Sequence, residues 1–376
     1  MNIQNRKFWQ ISFLGIVVIF ILAACGQQAA APAEPQVVTT VVVEKEVVVE
    51  KEVLVTQPPP TVVRFVFAPD PLMRYMQDTG IIAKYQAKYN MVLQPVSTWD
   101  EFAFFAGGHA DIASTGDYEV PALMEQSDDE FVIFGIYNLG RVPIWTRCED
   151  NIQSIQDLKG KKIGVPGPLS STMIWGVMLA QTEGVDFRVG SDEFDIIVNS
   201  HSANGELLRE GEIDAGVIIP EAVLPEIASG EVCLLYGAGG TWEYYRDNFD
   251  PEKTHKGVPG NIFLAKKEWF DANPKAVEFF LALWEEGLQA WKANREFIIR
   301  SYPEDHGLDP EADDFEERRA AITQFLTDHD WFVDTVYLDE TWIEREMPLF
   351  DYMRETGFMP EDQPNPTFVA VPPPSE

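Results

Sequence analysis

Patterns that would support covalent chemistry are missing from this sequence. Its five histidines, His109, His201, His255, His306 and His329, show no His-x-x-x-His spacing, which argues against a metal centre. No glycine-rich loop ends in Gly-Lys-Ser/Thr, so a phosphate-cradling site is not indicated. No Gly-x-Ser-x-Gly turn offers a serine nucleophile. No catalytic residue, metal or cofactor is therefore expected, and the chain reads as a binding protein rather than an enzyme. Basic residues are scarce: 28 Lys and Arg stand against 61 Asp and Glu, for a net charge of -33. That balance argues against nucleic acid as a partner and against adhesion to anionic lipid through a basic surface. Much of the acid falls after Glu304, in runs such as Glu311 to Glu317, and reads as solvated helix face. Long apolar runs are missing too, since the stretch from Phe13 to Ala24 is shorter than the roughly 18 to 20 residues that span a hydrocarbon core.

What is present begins with Arg6 and Lys7, the apolar stretch Ile16 to Ile21, and Leu22-Ala23-Ala24-Cys25. This is a signal peptide over residues 1–24. Leu-Ala-Ala-Cys resembles the lipobox of bacterial lipoproteins, which implies cleavage before Cys25 and acylation of its sulfur. The competing reading is an ordinary signal sequence with an incidental cysteine. Several acyl chains would make the attachment stable where one would not. Gly26 follows the cysteine where an inner-membrane retention signal would carry aspartate. The expected location is extracytoplasmic and lipid-anchored, on the periplasmic side if the cell has two membranes. Residues 25–60, with Val-Val-Val-Glu-Lys-Glu at 41–46 repeated at 47–52 and prolines at 58–60, read as a flexible tether; the valines could pair as strands, but the repeat cannot bury a core. Cys148 and Cys233 form an even pair in an exported protein and are a candidate disulfide, with two buried thiols as the alternative.

From Thr61 onward, strand-like runs alternate with helical patterns: 62–67, a helix over 73–89, 91–96, a helix over 98–106. The alternation returns at 162–166, with a helix over 171–183 closed by Gly184, then 195–198, a helix over 203–209 and 215–219. Two α/β halves with crossover helices follow. An echo joins them, because Gly108-His109-Ala110-Asp111-Ile112-Ala113 and Gly211-Glu212-Ile213-Asp214-Ala215-Gly216 each follow an apolar helix and lead into a short buried strand. The third section is helical. Asn273 and Pro274 open a helix whose Val277, Phe280, Leu281, Trp284, Leu288 and Trp291 form one core-facing stripe. Helices over 315–327 and 342–355 follow, and the proline-rich end after Gln363 reads as frayed.

Several stretches together resemble the substrate-binding proteins of ABC importers for nitrate, sulfonate and taurine, and thiamine-pyrimidine precursors. They are Ile155-Gln156-Asp157-Leu158-Lys159-Gly160-Lys161-Lys162-Ile163-Gly164-Val165-Pro166-Gly167 with Ser170-Ser171-Thr172, then Gly211 to Ala215, Phe263-Leu264-Ala265 with Asn273-Pro274, and Leu349 to Phe358. The resemblance implies a type II periplasmic-binding-protein fold, two α/β lobes with two crossing segments, placed near Pro143 to Thr146 and Val258 to Asn261. Lobe 1 would comprise 61–145, completed by 256–376 with its C-terminal helices, and lobe 2 would comprise 146–255. Both cysteines then fall in lobe 2, which favours their pairing.

Ligands of open α/β sheets bind beyond the carboxyl ends of the strands. In lobe 2 the candidates are Gly167, Ser170, Ser171 and Thr172, where free N–H groups and the helix dipole suit an anion, with Pro220 and Glu221 from the second loop. In lobe 1 they are Pro69 and Asp70, Trp99 as a stacking surface, and Thr115, Gly116 and Asp117. Asp70, Asp117 and Glu221 fit poorly beside an oxyanion; one of them in the cleft would favour an amine-bearing or zwitterionic ligand, and each has an alternative as a turn or helix cap. No arginine lies inside these loops, leaving Arg74 and Arg141 as the nearest. The expected function is an extracytoplasmic solute-binding protein that delivers a small polar solute to an ABC permease by lobe closure. It would be a monomer, and its solute a sulfonate, nitrate, a taurine-like compound or a pyrimidine precursor. The alternatives are a ligand-sensing lipoprotein feeding a membrane receptor, and a thiamine-pyrimidine-synthase-like enzyme, disfavoured because such an enzyme would carry clustered cysteines.

Overall fold

The computed structural model describes residues 37–44, 47–54 and 58–374. The signal peptide and Cys25 lie outside the described residues. The chain divides into two units, Met1–Pro59 and Pro60–Glu376. In the first, β1 (Val37–Glu44) and β2 (Val47–Leu54) pair antiparallel with Val37 opposite Leu54 and Glu44 opposite Val47. The valine repeat, read as a flexible tether whose valines could pair as strands, forms that pairing, which β-branched residues favour.

In the second unit, β3 (Thr61–Phe67), β4 (Met91–Ser97), β5 (Ile112–Thr115) and β6 (Phe131–Asn138) alternate with α1 (Pro71–Asp78), α2 (Ile81–Tyr89), α3 (Glu101–Ala106) and α4 (Val120–Gln126). The chain crosses through residues 139–143 to a second sheet. There it forms β7 (Ile144–Arg147), β8 (Lys162–Val165), α5 (Ser171–Glu183), β9 (Asp195–Val198), α6 (His201–Glu210), β10 (Ala215–Val217), α7 (Leu224–Ser229), β11 (Val232–Leu234) and α8 (Thr241–Phe249). It returns through 250–260 to β12 (Asn261–Lys266), α9 (Lys267–Ala272), α10 (Pro274–Ser301), α11 (Phe315–Asp328), α12 (Glu340–Glu346), α13 (Pro348–Glu355) and β13 (Thr367–Phe368).

The first sheet is ordered β13-β6-β12-β5-β3-β4 and the second β11-β7-β10-β8-β9. Apart from β13 the two orders are the same: each sheet places its second parallel strand at one edge, then its first, its third, an antiparallel strand and a last strand. The antiparallel member is β12 in one and β7 in the other, each the strand laid down as the chain arrives from the opposite sheet. The sequence echo marks equivalent points. Asp111 accepts a hydrogen bond from the backbone N–H of Arg64 in β3, and Asp214 accepts one from that of Lys162 in β8. In each lobe one aspartate therefore ties the start of the third strand to the first.

The first lobe's core is aromatic, with Phe280 packed edge-on against Phe65 and Phe263 at centroid distances of 4.9 and 4.8 Å. Val277, Phe280, Leu281, Trp284, Leu288 and Trp291 are all buried along α10, the stripe read from helical spacing. Cys148, just after β7, and Cys233 in β11 are disulfide-bonded.

Several boundaries differ from the sequence reading. The helix expected over 73–89 is broken at Thr79-Gly80, where Gly80 adopts φ +78°, a conformation that suits glycine. The helix expected over 342–355 is two helices parted at Met347-Pro348, where proline starts the second because it cannot continue the first. Asn273 does not cap α10 with its side chain; its amide donates to the Trp269 carbonyl. The end after Gln363 is not frayed, since β13 pairs parallel with β6. Residues 144–146 belong to β7, so the first crossing lies just before them. After 256 the chain serves both lobes: α13 buries Leu349, Phe350 and Met353 in the second lobe's core, and Phe325 of α11 packs 5.7 Å from Trp145.

Candidate functional site

A cavity of about 540 Å³ lies between the two sheets. Its walls come from β3–α1 and β4–α3 loop residues of the first lobe, from the β8–α5 and β9–α6 loops of the second, and from both crossings, through Gly140, Arg141, Val142 and Gly260. A second space of about 260 Å³ adjoins it and shares Trp99, Arg141, Ser202 and Ile219. A pocket of this size suits a small organic molecule.

Of the sequence candidates, Trp99, Gly167, Ser170 and Ser171 line the main cavity. Pro69, Asp70, Trp99 and Glu221 line the adjoining space. Thr115, Gly116, Asp117, Thr172 and Pro220 line neither. The loop after β5 turns inward, so Asp117 is fully buried away from the cleft, where burial first, and then the carboxyl of Glu346, raise it well above the usual range. Thr172 is buried one residue farther into α5 than the cavity wall, and Pro220 is buried at the start of a short 3-10 turn.

Thr115 and Gly116 instead hold a side chain that does line the cavity. Glu119 lines the cavity, and its Oε2 accepts from Thr115 Oγ1 at 2.6 Å and from the Gly116 N–H at 2.9 Å. The Ser170 N–H of the second lobe lies within reach of the same carboxylate. Burial raises Glu119, and these three donors oppose the rise. A carboxylate of the first lobe thus sits at the start of α5, the helix end expected to receive an anion. Tyr118 packs over Gly116 so closely that a Cβ there would sit 2.4 Å from its ring.

Glu101 opens α3 and also lines the cavity. Burial first, and then the charges of Glu119 and Asp100, push its carboxyl up to about 8. Its Oε2 is buried with no partner among the described residues, as are Asn138 Oδ1 and Ser171 Oγ on the same walls.

Arg141, in the first crossing, is the one guanidinium lining these spaces among the described residues, and it is already engaged. It donates to Glu221 Oε1 at 2.6 Å across the cleft and lies 4.9 Å over the Trp331 ring. Asp70 caps α1 by accepting the Leu72 N–H at 2.7 Å, and burial raises it to about 6 against the pull of that bond and of Arg141. Arg74 pairs with Asp305. His201, at the start of α6, accepts the Ile219 N–H on Nδ1. Burial, then Arg141, lower it to about 4, so at neutral pH it is an uncharged ring with its proton on Nε2. Trp99 is 60% exposed and meets His201 edge-on at 6.1 Å, closing one side of the mouth with one residue from each lobe.

Glu101, Glu119, Tyr118, Asn138 and Asn261 were missed in the sequence because no loop motif flags them. The run Thr115-Gly116-Asp117-Tyr118-Glu119 did hold a usable signal, a buried glutamate one helical turn after a threonine, which can reach back to cap its own loop.

A family model described as NMT1/THI5 like matches residues 91–296. No curated protein matches the sequence. Among solved structures, the periplasmic aliphatic sulphonate binding protein SsuA from Escherichia coli is 16% identical, with 84% of this chain and 95% of that chain covered and a TM-score of 0.62. The alkanesulfonate-binding protein SsuA from Xanthomonas axonopodis pv. citri, bound to MOPS, is 14% identical over 84% of this chain and 100% of that one, with a TM-score of 0.63. The Candida albicans CA3427 product, described as having the generic periplasmic binding protein structural fold, is 13% identical over 84% and 98%, with a TM-score of 0.56. The likeness at these identities is one of fold.

Proposed function

The chain belongs to the NMT1/THI5-like family, and from that premise we propose that it is an extracytoplasmic solute-binding protein that captures a small polar molecule between its lobes and presents it to an ABC permease. One observation carries this reading: the cavity of about 540 Å³ is walled by both lobes and by both crossing segments. A solute that touches both walls stabilises the arrangement in which they face each other, and only that differential contact can drive closure. Acylation of Cys25 would hold the protein at the membrane, and the tether would raise its effective concentration near the permease. No covalent step is assigned, because the lining residues hold and orient rather than form a nucleophile with an adjacent base. The protein acts as a monomer in this reading.

The test is a thermal-shift screen of the chain from residue 26 against sulfonates, nitrate, taurine, aminopyrimidines, polyamines and short carboxylates, with mass spectrometry of anything co-purified. A solute of this function raises the unfolding midpoint with concentration, by about 2.7 kcal/mol of stabilisation at a hundredfold excess over Kd. A chain that neither responds to any small molecule nor carries one contradicts the proposal.

A further inference from the structure

We propose that the solute is a small organic cation, a protonated amine or amidinium on an apolar body, with its charge between Glu101 and Glu119 and its body against Trp99, Phe102 and Tyr118. The proposal rests on the solute-binding reading and narrows it to one charge class.

Among the described residues the walls carry buried acceptors without partners and no uncommitted cationic side chain; the Ser171 hydroxyl and the His201 Nε2–H are neutral donors. Glu101 and Asn138 line the cavity, and Glu101 Oε2 and Asn138 Oδ1 are buried without partners among the described residues, Asn138 being only 2% exposed. A buried acceptor left unmade is costly, and both side chains belong to walls that a solute in the cavity meets. The cationic donor that an oxyanion would need is already committed: Arg141 is held by Glu221. The N-terminal end of α5, the other anion-binding feature, has Glu119 beside it. An arriving sulfonate or carboxylate would therefore meet two carboxyl groups and displace one of them. An arriving cation would relieve the repulsion between Glu101 and Glu119 that helps to lift Glu101, and would form charge-assisted hydrogen bonds. Part of the remaining wall is aromatic, with Trp99, Phe102 and Tyr118 lining the same cavity. Aromatic faces near carboxylates attract organic cations through the ring quadrupole.

The experiment compares benzamidine with benzenesulfonate, which share a ring and differ in the sign of the attached charge, together with agmatine as an open-chain cation. Titration calorimetry on the chain from residue 26 is expected to show saturation by benzamidine or agmatine and no saturation by benzenesulfonate at the same concentrations. Glu101→Gln and Glu119→Gln should each weaken the cation by about tenfold or more, the loss of one charge-assisted contact. Glu119 braces its own loop, so Glu101→Gln, whose side chain supports no backbone outside its own turn, decides the matter if Glu119→Gln fails to fold. Benzenesulfonate binding as tightly as benzamidine overturns the proposal and leaves the solute-binding reading intact. Saturation by neither cation also overturns it. The parent reading fails separately, if no solute of any charge changes the separation of the lobes in solution scattering.

Discussion

Glu101 carries a testable consequence at the scale of one residue. Its carboxyl is pushed from an ordinary 4.5 up to about 8 by burial and by neighbouring negative charge, so the folded state holds a proton that the unfolded state gives up. Stability from this group is present in full below about pH 4.5 and is lost as pH rises through about 8. Glu101→Gln removes the titration, so the stability of the variant relative to the parent should grow by roughly 1–3 kcal/mol between pH 5 and pH 9. Urea unfolding at both pH values checks this, and a constant difference would contradict it. Residues of this kind are the least legible in sequence. Trp99 and Ser171 were readable because aromatics and hydroxyls at loop ends have few roles. Glu101 and Glu119 look like any surface glutamate until the chain closes over them, and Asp117 reads as a loop residue although it is fully buried.

Elements were more legible than residues, because their signals are local. The limits of α5 and its closure by Gly184 follow from a run of apolar residues ending in a residue that tolerates positive φ, here +66°. The errors came where two elements meet without a polar stretch between them, as at Gly80 and Pro348. They also came at β13, whose two residues hold through pairing with a strand more than 200 positions earlier, a contact with no local signature. The disulfide belongs to this scale. It links the segment after β7 to β11, closing a loop with a sequence separation of 85 residues in the second lobe. Cys148→Ser with Cys233→Ser should cost about 2–4 kcal/mol, read as a lower unfolding midpoint. Faster amide exchange in β7 and β11 than in β3 and β5 would place the loss in that lobe, and equal loss in both sheets would contradict the assignment.

At the scale of the whole molecule, the repeated strand order means that two similar halves face each other across two crossings, and the echo of Asp111 and Asp214 carried that symmetry in the sequence. What sequence could not show is how the C-terminal section joins them: α10 completes the first core, α13 completes the second, and Phe325 of α11 packs on Trp145. Closure must therefore work around these contacts, at the crossings through residues 139–143 and 250–260. Beneath the second crossing the buried Glu346 accepts the Val258 N–H at 2.8 Å and pairs with His255 at 2.7 Å, a brace that fixes where the return strand begins. Small-angle scattering of the chain from residue 26, with and without a saturating solute, measures directly whether the lobes grip it. The account predicts a smaller radius of gyration with solute bound, lost again when Trp99 and Glu119 are both replaced by alanine. An unchanged radius with a solute demonstrably bound would contradict it.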